Sequence, residues 1–419
     1  MSQTYAYFQP EYVSKFKCNG QLCQGNCCKY WRISIDKKTY KKYASIRPKS
    51  KAQEIIQKIQ KSKIDDNLYY IKHKDNGFCP FLTDDNWCII QKTYGEDYLS
   101  DTCTSYPRQT IKLDDFYERT LSLTCPVVAD MVLKADEPMA FEQIEVDENN
   151  GNKVIINKEF NVNNFAAQVI EVQYTSISIL QERTLTIDQR LAVLGFYFDH
   201  LEELISQSKT DEITKLSLVY TSEDFLHNQA LNLIKSIKFN VRDYIKVMFD
   251  MFETLYGTSG SFRNNGYYDK MYLNSVISAL NITIDKDGTV SVDEMIQNYN
   301  KLFDLRNDIL NKHSKILENY LVNEFFYNLY PWKLRKTICS NYGVFIMTYK
   351  LLELILISMK YFSKNELNDN VGFDTDSIIK IIGSFIQRID HNQNYIDCIS
   401  KNVDNKENTL KIMNSLLQI

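Results

Sequence analysis

The cysteines are the feature that most constrains what this chain can fold into. The chain has 419 residues and ten cysteines, and eight of those cysteines lie between Cys18 and Cys125. The much longer remainder contains only Cys339 and Cys398. We therefore predict a cysteine-rich, metal-binding module at residues 1–130. Cys339 and Cys398 stand alone in helical contexts, and we expect them to be ordinary buried thiols.

The eight thiols of the module differ in spacing. The first four are separated by four and three residues and end in an adjacent pair, whereas the last four are spread over a longer stretch. Thiols three to five residues apart can converge on one centre, because a turn points their sulfurs the same way. The candidate metal ligands are Cys18, Cys23, Cys27, Cys28, Cys79, Cys88, Cys103 and Cys125.

Three chemistries would use such thiols. Disulfides need an oxidising compartment, but the start "MSQTYAYFQPEYVSKFKC" has no basic region followed by an apolar one, so we expect a cytoplasmic protein. A structural zinc site takes four thiolates. An iron–sulfur cluster also takes four, and the steps Cys79-Pro80 and Cys125-Pro126 repeat the Cys-Pro that ends a ferredoxin-type motif. The residues leave zinc and iron–sulfur both open.

The rest of the chain is predicted to be mainly α-helical. Only 13 glycines and 7 prolines are present. Apolar residues recur at three and four positions in 186–207, 221–239 and 307–330, which indicates amphipathic helices and an α-helical domain at 164–419. Between the two parts, "FEQIEVDENNGNKVIINKEF" alternates around Asn150-Gly151, which predicts a small β-hairpin in a connector at 131–163.

Two further stretches of the sequence are relevant to association with membranes and with nucleic acids. The apolar run from Gly343 to Phe362 is long enough to cross a bilayer, but it carries Lys350, Glu353 and Lys360. Charges within a span are costly, so we predict a buried core helix and no membrane association. The basic run Asp36–Lys63 lacks the aromatic interleaving of a single-strand binder and is predicted to be a solvated helix face, without a nucleic-acid partner.

The motifs that contain these cysteines resemble those of a known protein family. "CNGQLCQGNCC", "FCPFL", "WCIIQKTYGEDYLSDTCTSYPR" and "LTCPVVA" occur in this order within about the first 130 residues. The set resembles the zinc- or iron-chelating family named for a CxxCxxCC signature, although the spacing of the first cysteines is wider here. With the start "YFQPEYVSKFKC", the length and the helical C-terminal part, the chain resembles the flagellin lysine N-methylases. The resemblance implies S-adenosylmethionine-dependent methylation of flagellin lysines, with a 4Fe-4S cluster.

The residues themselves say less about a methyl-donor site. The glycine-richest stretch, Tyr256–Tyr268, follows a helical pattern and is predicted to be a helix-terminating loop rather than a cofactor cradle. Arg108 follows Cys103 closely and is our candidate for binding a cofactor carboxylate; its alternative is an ion pair with Asp101. His73 is expected to be exposed rather than a metal ligand.

No catalytic residue and no oligomeric state can be singled out from the sequence. A non-enzymatic zinc or iron protein, or a redox protein, would use the same thiols. These remain the alternatives to a methyltransferase.

Overall fold

The computed structural model describes residues 4–18, 26–28, 33–114, 116–147, 155–160, 166–256, 267–283, 290–332, 337–365, 373–390, 392–404 and 409–419. The chain divides into two compact units. The first comprises Met1–Val132 and Ala140–Val162, and the second comprises Leu133–Met139 and Asn163–Ile419. The predicted loop at 256–268 and the Asn150-Gly151 turn fall almost entirely outside the described residues.

The described part of the first unit contains eight strands and six α-helices. The strands are β1 (Thr4–Pro10), β2 (Ser34–Asp36), β3 (Ile59–Lys61), β4 (Leu68–Ile71), β5 (Arg108–Leu113), β6 (Phe116–Leu121), β7 (Phe141–Asp147) and β8 (Lys158–Phe160). The helices are α1 (Tyr12–Lys15), α2 (Lys37–Ser45), α3 (Lys49–Ile56), α4 (Ile89–Tyr94), α5 (Asp101–Ser105) and α6 (Pro126–Leu133).

These strands form two sheets. The larger has the order β7-β1-β6-β5-β8, and the smaller is antiparallel with the order β2-β4-β3. In the larger sheet β1 is antiparallel to β7 and parallel to β6. β5 and β6 form an antiparallel hairpin in which Leu113 pairs with Phe116. Asp114, which follows β5, has a φ of 49°, a left-handed conformation that aspartate tolerates.

The hairpin predicted for 131–163 is wrong. Its two halves are strands, β7 and β8, but they lie at opposite edges of the larger sheet and do not pair with each other. β7 pairs with β1 over seven residues, from Thr4 with Asp147 to Pro10 with Phe141, and β8 is parallel to β5. Each strand therefore pairs with a strand other than its neighbour in sequence.

The second unit is helical, as predicted, and no strand lies among its described residues. Its helices are α7 (Ala166–Leu180), α8 (Ile187–Ser206), α9 (Ile213–Tyr220), α10 (Ala230–Ile234), α11 (Val241–Tyr256), α12 (Tyr267–Leu280), α13 (Val292–Lys301), α14 (Phe303–Lys312), α15 (Ser314–Tyr327), α16 (Ile338–Asn365), α17 (Thr375–Ile389), α18 (Gln393–Asp404) and α19 (Thr409–Leu416).

The three helices predicted from periodicity have different outcomes. The segment 186–207 becomes α8, which begins after a capping box made by Thr186 and Gln189. The segment 221–239 contains a π-helical turn, Phe225–Gln229, before the short α10. The segment 307–330 is divided between α14 and α15, with a break at His313.

The apolar stretch that could cross a membrane by length is the core helix of the second unit. Within the described residues it is the one helix, α16, that is long and apolar enough to do so, and 94% of its most apolar window is buried inside the protein. Helices pack closely against it. A Cβ atom on Gly195 of α8 would lie 2.7 Å from the hydroxyl of Tyr342, and one on Gly343 would lie 2.9 Å from Val403.

Candidate functional site

The cysteines of the first unit gather mainly around one small core. Cys79 is buried in a cluster with isoleucines of β2, β3 and β4 and with Tyr43 of α2. Three half-buried cysteines pack against the same cluster, namely Cys28, Cys88 and Cys103. The smaller sheet and the helices around it therefore collect thiols that are far apart in sequence. Together with Cys27, these four residues are called the thiol cluster below.

Backbone contacts position the members of the thiol cluster. The amide of Cys79 donates to the carbonyl of Cys28 at 2.7 Å, which joins the two cysteine-bearing segments. The sulfurs of Cys27 and Cys28 are 3.8 Å apart. Cys88 immediately precedes α4, and its backbone forms an isolated antiparallel β-bridge with Leu82. Cys103 lies in the first turn of α5, where its amide donates to the Oγ of Ser100 at 3.3 Å.

Hydrogen bonding and burial shift the pKa values of Cys27, Cys28 and Cys79. Hydrogen bonding with Cys28 lowers the pKa of Cys27 to about 7, although burial acts in the opposite direction. The same thiol lowers the pKa of Cys79, again against burial. Hydrogen bonding to these two sulfurs and burial raise the pKa of Cys28. Among these three thiols the pKa of Cys28 is therefore raised, and the pKa values of Cys27 and Cys79 are lowered.

The other two members are neutral thiols held in a dry environment. Burial raises the pKa of Cys88, while the amides of Gln91 and Ile90 act to lower it. Burial raises the pKa of Cys103 to about 12, and the charges of Cys88 and Cys79 act in the same direction. Ionising all five sulfurs together would require a compensating positive charge, and thiolates most often find it in a metal ion.

The sulfur atoms of the thiol cluster are of a type that binds metals, but they are not arranged as a complete set of metal ligands. Its donors are all sulfur, the set that both zinc and iron–sulfur clusters take. Among the described residues, however, no three cysteine, histidine or acidic side chains are arranged to hold one metal ion. Cys23, between Cys18 and Cys27 in sequence, lies outside the described residues.

Cys18 and Cys125 belong to a different neighbourhood, beside Arg108. Cys18 is exposed and Cys125 is buried. Burial lowers the pKa of the Arg108 guanidinium, while the charges of both cysteines act to raise it. The guanidinium carbon lies 5.1 Å from the centre of the Phe16 ring. The eight predicted ligands thus fall into five around the core, two beside Arg108, and one that is not described.

Arg108 does not form the ion pair with Asp101 that was its alternative assignment. Its guanidinium forms no ion pair with a carboxylate of the described residues, although the charge of Glu96, like those of Cys18 and Cys125, acts to raise its pKa. Arg108 begins β5 and is half-buried. A half-buried guanidinium without an ion-pair partner in the described part of the chain is suited to bind a carboxylate through two N–H groups.

His73 differs from its sequence-based expectation. It is half-buried rather than exposed, and burial lowers its pKa. Its Nε2 atom is buried without a hydrogen-bond partner among the described residues. Nothing in the sequence signals this, because the loop before Cys79 is polar and would be expected to face water.

The second unit contains a set of buried charges that the sequence reasoning missed as a set. Asp188 of α8, Arg306 of α14, and Lys350 and Glu353 of α16 are all buried, and are called the ion quartet below. Lys350 Nζ lies 2.5 Å from Asp188 and 2.9 Å from Glu353. Arg306 bonds Glu353 through Nε at 2.7 Å and Asp188 through Nη2. Burial alone would raise the pKa of Glu353, but Arg306 and Lys350 lower it to about 2.

These features together define the class of protein. It has a thiol-rich unit built on two small sheets, followed by a helical unit with a buried charge network. The helical unit identifies the family, because residues 173–417 match the family model described as the FliB lysine N-methylase C-terminal domain. The match covers more than half of the chain. The chain therefore belongs to the FliB lysine N-methylase family, which confirms the resemblance found in its motifs.

Individual relatives are similar over shorter stretches. Lysine-N-methylases of Salmonella typhimurium and Salmonella choleraesuis are each 34% identical over 159 residues, which is 36% of this chain and 36% of theirs. The flagellar biosynthetic protein FliU of Salmonella muenchen is 34% identical over 143 residues, 32% of this chain and 79% of its own. The match thus spans about a third of the length of the lysine-N-methylases. No solved structure matches the chain.

Proposed function

We propose that this protein is a lysine N-methyltransferase that transfers the methyl group of S-adenosylmethionine to lysine side chains of flagellin. The observation that carries the proposal is the match of the helical unit to the lysine N-methylase C-terminal domain. The names of the relatives, a lysine-N-methylase and a flagellar biosynthetic protein, support the substrate. We place the activity in the cytoplasm, where S-adenosylmethionine and unassembled flagellin would meet the enzyme.

Methyl transfer sets a requirement on the target lysine. The amine attacks the methyl group only when neutral, whereas a free lysine has a pKa of about 10.4 and is protonated at neutral pH. The enzyme must hold the amine in a dry environment or beside a base that removes its proton. When bound, the methyl donor supplies the electrophilic methyl group. We assign no residue of this chain to the base.

Arg108 is the residue that we assign to the carboxylate of the methyl donor. Its guanidinium is half-buried and has no carboxylate partner among the described residues. Replacement by lysine keeps the charge but loses the planar pair of donors. For R108K we expect the KM for S-adenosylmethionine to rise about tenfold with little change in kcat, since the loss of one charge-assisted bond costs roughly 1.4 kcal/mol.

We assign a 4Fe-4S cluster to the thiol cluster, with zinc as the alternative metal. Support comes from the all-sulfur donor set and from the packing of its members around one small core. The thiols of Cys18, Cys23 and Cys125 remain proposed ligands as well. An iron–sulfur cluster would add redox or Lewis-acid chemistry beside the protein's own groups.

A transfer assay tests the activity. Full-length protein purified without oxygen is incubated with unmethylated flagellin and S-adenosylmethionine labelled in its methyl group. We expect label on flagellin lysines, identified by mass spectrometry of peptides. The control substrate is flagellin whose lysines have been chemically acetylated, which should take up no label. Absence of transfer by metal-replete, folded enzyme would rule out the proposed function.

Metal analysis tests the cluster separately. We expect a brown protein that contains iron and acid-labile sulfide, and loss of both in Cys88→Ser and Cys103→Ser. The matched controls are Cys339→Ser and Cys398→Ser, whose thiols are half-buried in the helical unit and should not affect iron content. A colourless protein that retains zinc after anaerobic handling would show that the thiols hold a structural zinc ion rather than an iron–sulfur cluster.

A further inference from the structure

One face of the larger sheet carries two arginines, Arg108 on β5 and Arg119 on β6. In the register of this antiparallel pair, Arg108 lies opposite Leu121 and Thr110 lies opposite Arg119. Every second side chain of a strand lies on the same face, so both arginines and Thr110 share one face of the sheet. The two arginines are diagonal neighbours, at a separation across which long side chains meet. They are called the arginine pair below.

Aromatic rings support both members of the arginine pair. The guanidinium carbon of Arg119 lies 4.0 Å from the centre of the Tyr7 ring, and that of Arg108 lies 5.1 Å from the centre of the Phe16 ring. Arg119 Nε donates to Thr110 Oγ1 at 3.4 Å, which directs this side chain towards the strand that carries Arg108. A ring contacts the flat face of a guanidinium and leaves the N–H groups along its edge for an acceptor.

The positive charge of Arg119 is not balanced within the described part of the first unit. Both arginines are half-buried, and neither forms an ion pair with a described carboxylate. Arg108 is at least near the negative charges of Glu96 and of two cysteines. Burial lowers the pKa of the Arg119 guanidinium, and the positive charge of Arg108 acts in the same direction, while Tyr7 acts to raise it.

An anion would relieve this arrangement. Two like charges that neighbour each other on a sheet destabilise it, and partial burial makes their repulsion stronger than it would be in water. A carboxylate or phosphate that accepts hydrogen bonds from both guanidiniums would replace the repulsion by two charge-assisted contacts. A neutral or cationic group would not do so. The arginine pair therefore favours an oxyanion as its ligand.

A further cation on the same face has its own partner. Lys112 lies on β5, two residues after Thr110, and its Nζ atom lies 2.5 Å from Glu159 of β8. Its charge is therefore balanced within the sheet. This contrast distinguishes the arginine pair from a generally basic surface, because the paired lysine and the unpaired arginines lie on the same face.

We propose that Arg119 acts together with Arg108 to bind one oxyanion, and that Arg119 is a second binding residue for the carboxylate of the methyl donor. The oxyanion site follows from the arginine pair alone, whereas the identity of its natural ligand rests on the proposed function. Two guanidiniums on one carboxylate would also select ligands that carry this group over fragments that lack it.

Two ligands that differ in the carboxylate test the proposal. S-adenosylhomocysteine has the amino acid part of the methyl donor but no transferable methyl group, and methylthioadenosine lacks the amino acid part. In calorimetric titrations of the full-length protein, we expect Arg119→Gln to bind S-adenosylhomocysteine about tenfold more weakly than the parent protein does. Its affinity for methylthioadenosine should stay within about twofold, because that ligand makes no contact with the arginine pair.

The matched control is Lys112→Gln, which removes a positive charge from the same face. Its affinity for S-adenosylhomocysteine should stay within about twofold of the parent, because this charge is already paired with Glu159. Circular dichroism establishes that both variants fold. An equal loss in Lys112→Gln and Arg119→Gln would overturn the proposal, since the ligand would then sense only the general charge of the face.

The remaining outcomes separate this proposal from the proposed function. Methyl transfer by Arg119→Gln with an unchanged KM for S-adenosylmethionine would overturn the role of Arg119 while the enzymatic function stands. Malonate, a small dicarboxylate, is the probe for the oxyanion site alone. Malonate binding that is lost in Arg119→Gln, in a protein that neither binds S-adenosylhomocysteine nor transfers methyl groups, would retain the oxyanion site and reject the proposed function. A parent protein that binds neither ligand would overturn the site.

Discussion

At the residue scale, Lys350 and Glu353 are unusual because they carry charge in the middle of a buried apolar helix. Both side chains are 1% exposed, and both are satisfied by the other members of the ion quartet. The cost of removing four charges from water is offset only when every charge keeps its partners. The stability of the second unit should therefore be sensitive to the loss of any one of them.

We expect Glu353→Gln to lower the free energy of unfolding by about 3–5 kcal/mol, because Arg306 and Lys350 then lose a buried counter-charge. Urea unfolding followed by circular dichroism measures this. The matched control is Asp308→Asn, which removes a carboxylate paired with Lys312 and Lys360 at a partly exposed site. Exposed pairs contribute about 0–1 kcal/mol. Equal losses in the two variants would contradict the assigned role of the ion quartet.

Gly195 gives a second prediction for a single residue. A Cβ atom there would lie 2.7 Å from the Tyr342 hydroxyl and 2.8 Å from the Met413 sulfur. Tyr342 is held in place by a hydrogen bond to the Leu191 carbonyl at 2.8 Å, so it cannot easily move away. We expect Gly195→Ala to destabilise the protein by roughly 1–3 kcal/mol through overpacking.

Thermal unfolding of Gly195→Ala provides the measurement. Alanine is otherwise the better helix former by about 1 kcal/mol, so a helix without a close neighbour would be stabilised by this change. An increase in melting temperature would show that α8 and Tyr342 do not approach as closely as described.

At the scale of the element, α8 shows how local sequence can define a helix start. Thr186 accepts a hydrogen bond from the Gln189 amide at 3.3 Å, and the Gln189 side chain accepts from the Thr186 amide at 2.9 Å. Both interactions are contained within four residues. This is why the local sequence pattern at 186–207 predicted α8, Ile187–Ser206, almost to the residue.

Replacing Thr186 by alanine removes the cap, and we expect it to lower the free energy of unfolding by about 1 kcal/mol. Thr186→Ser retains the side-chain oxygen and should remain within a few tenths of a kcal/mol of the parent. Denaturant unfolding of the two variants side by side makes the comparison. If both lose the same amount, the loss comes from packing of the threonine methyl group rather than from the cap.

The strands β7 and β8 show the limit of such local reasoning. Their alternation and the intervening Asn-Gly predicted two strands, and two strands are present. Their pairing was wrong because the choice of partner depends on residues far away in sequence: β7 takes its register from β1 and β8 from β5. Local patterns determine that a segment is extended, whereas the sheet determines what it is paired with.

The candidate site, too, depends partly on local sequence and partly on contacts between segments that are distant in sequence. The sequence predicted that the N-terminal cysteines matter as a set. Their division, with Cys28, Cys79, Cys88 and Cys103 around one core and Cys18 and Cys125 beside Arg108, depends on how the smaller sheet folds. The ion quartet was not predicted as a set, because Asp188 and Arg306 look like ordinary members of amphipathic helices.

At the scale of the whole molecule, the lowered pKa of Glu353 makes stability depend on pH. The pKa is about 2 in the folded protein against an ordinary value of 4.5. The unfolded chain therefore takes up a proton at higher pH than the folded chain does. The contribution of Glu353 is complete above about pH 4.5 and is lost as the pH falls towards 2.

We expect the urea midpoint of the parent protein to fall steadily between pH 4.5 and pH 2, with the helical signal lost in the same transition. In Glu353→Gln the fall over this range should be shallower, because the substituted amide does not titrate. A parent protein whose midpoint is constant from pH 7 to pH 3 would show that Glu353 titrates normally.

The charges of α16 also have a consequence before folding is complete. During synthesis this 28-residue segment emerges as an apolar stretch that a membrane-insertion machinery would sample. A lysine or glutamate near the centre of such a stretch raises the cost of insertion by about 2.5–3.5 kcal/mol each. The charged residues that stabilise the interior of the folded second unit therefore also disfavour insertion of its longest helix into a membrane.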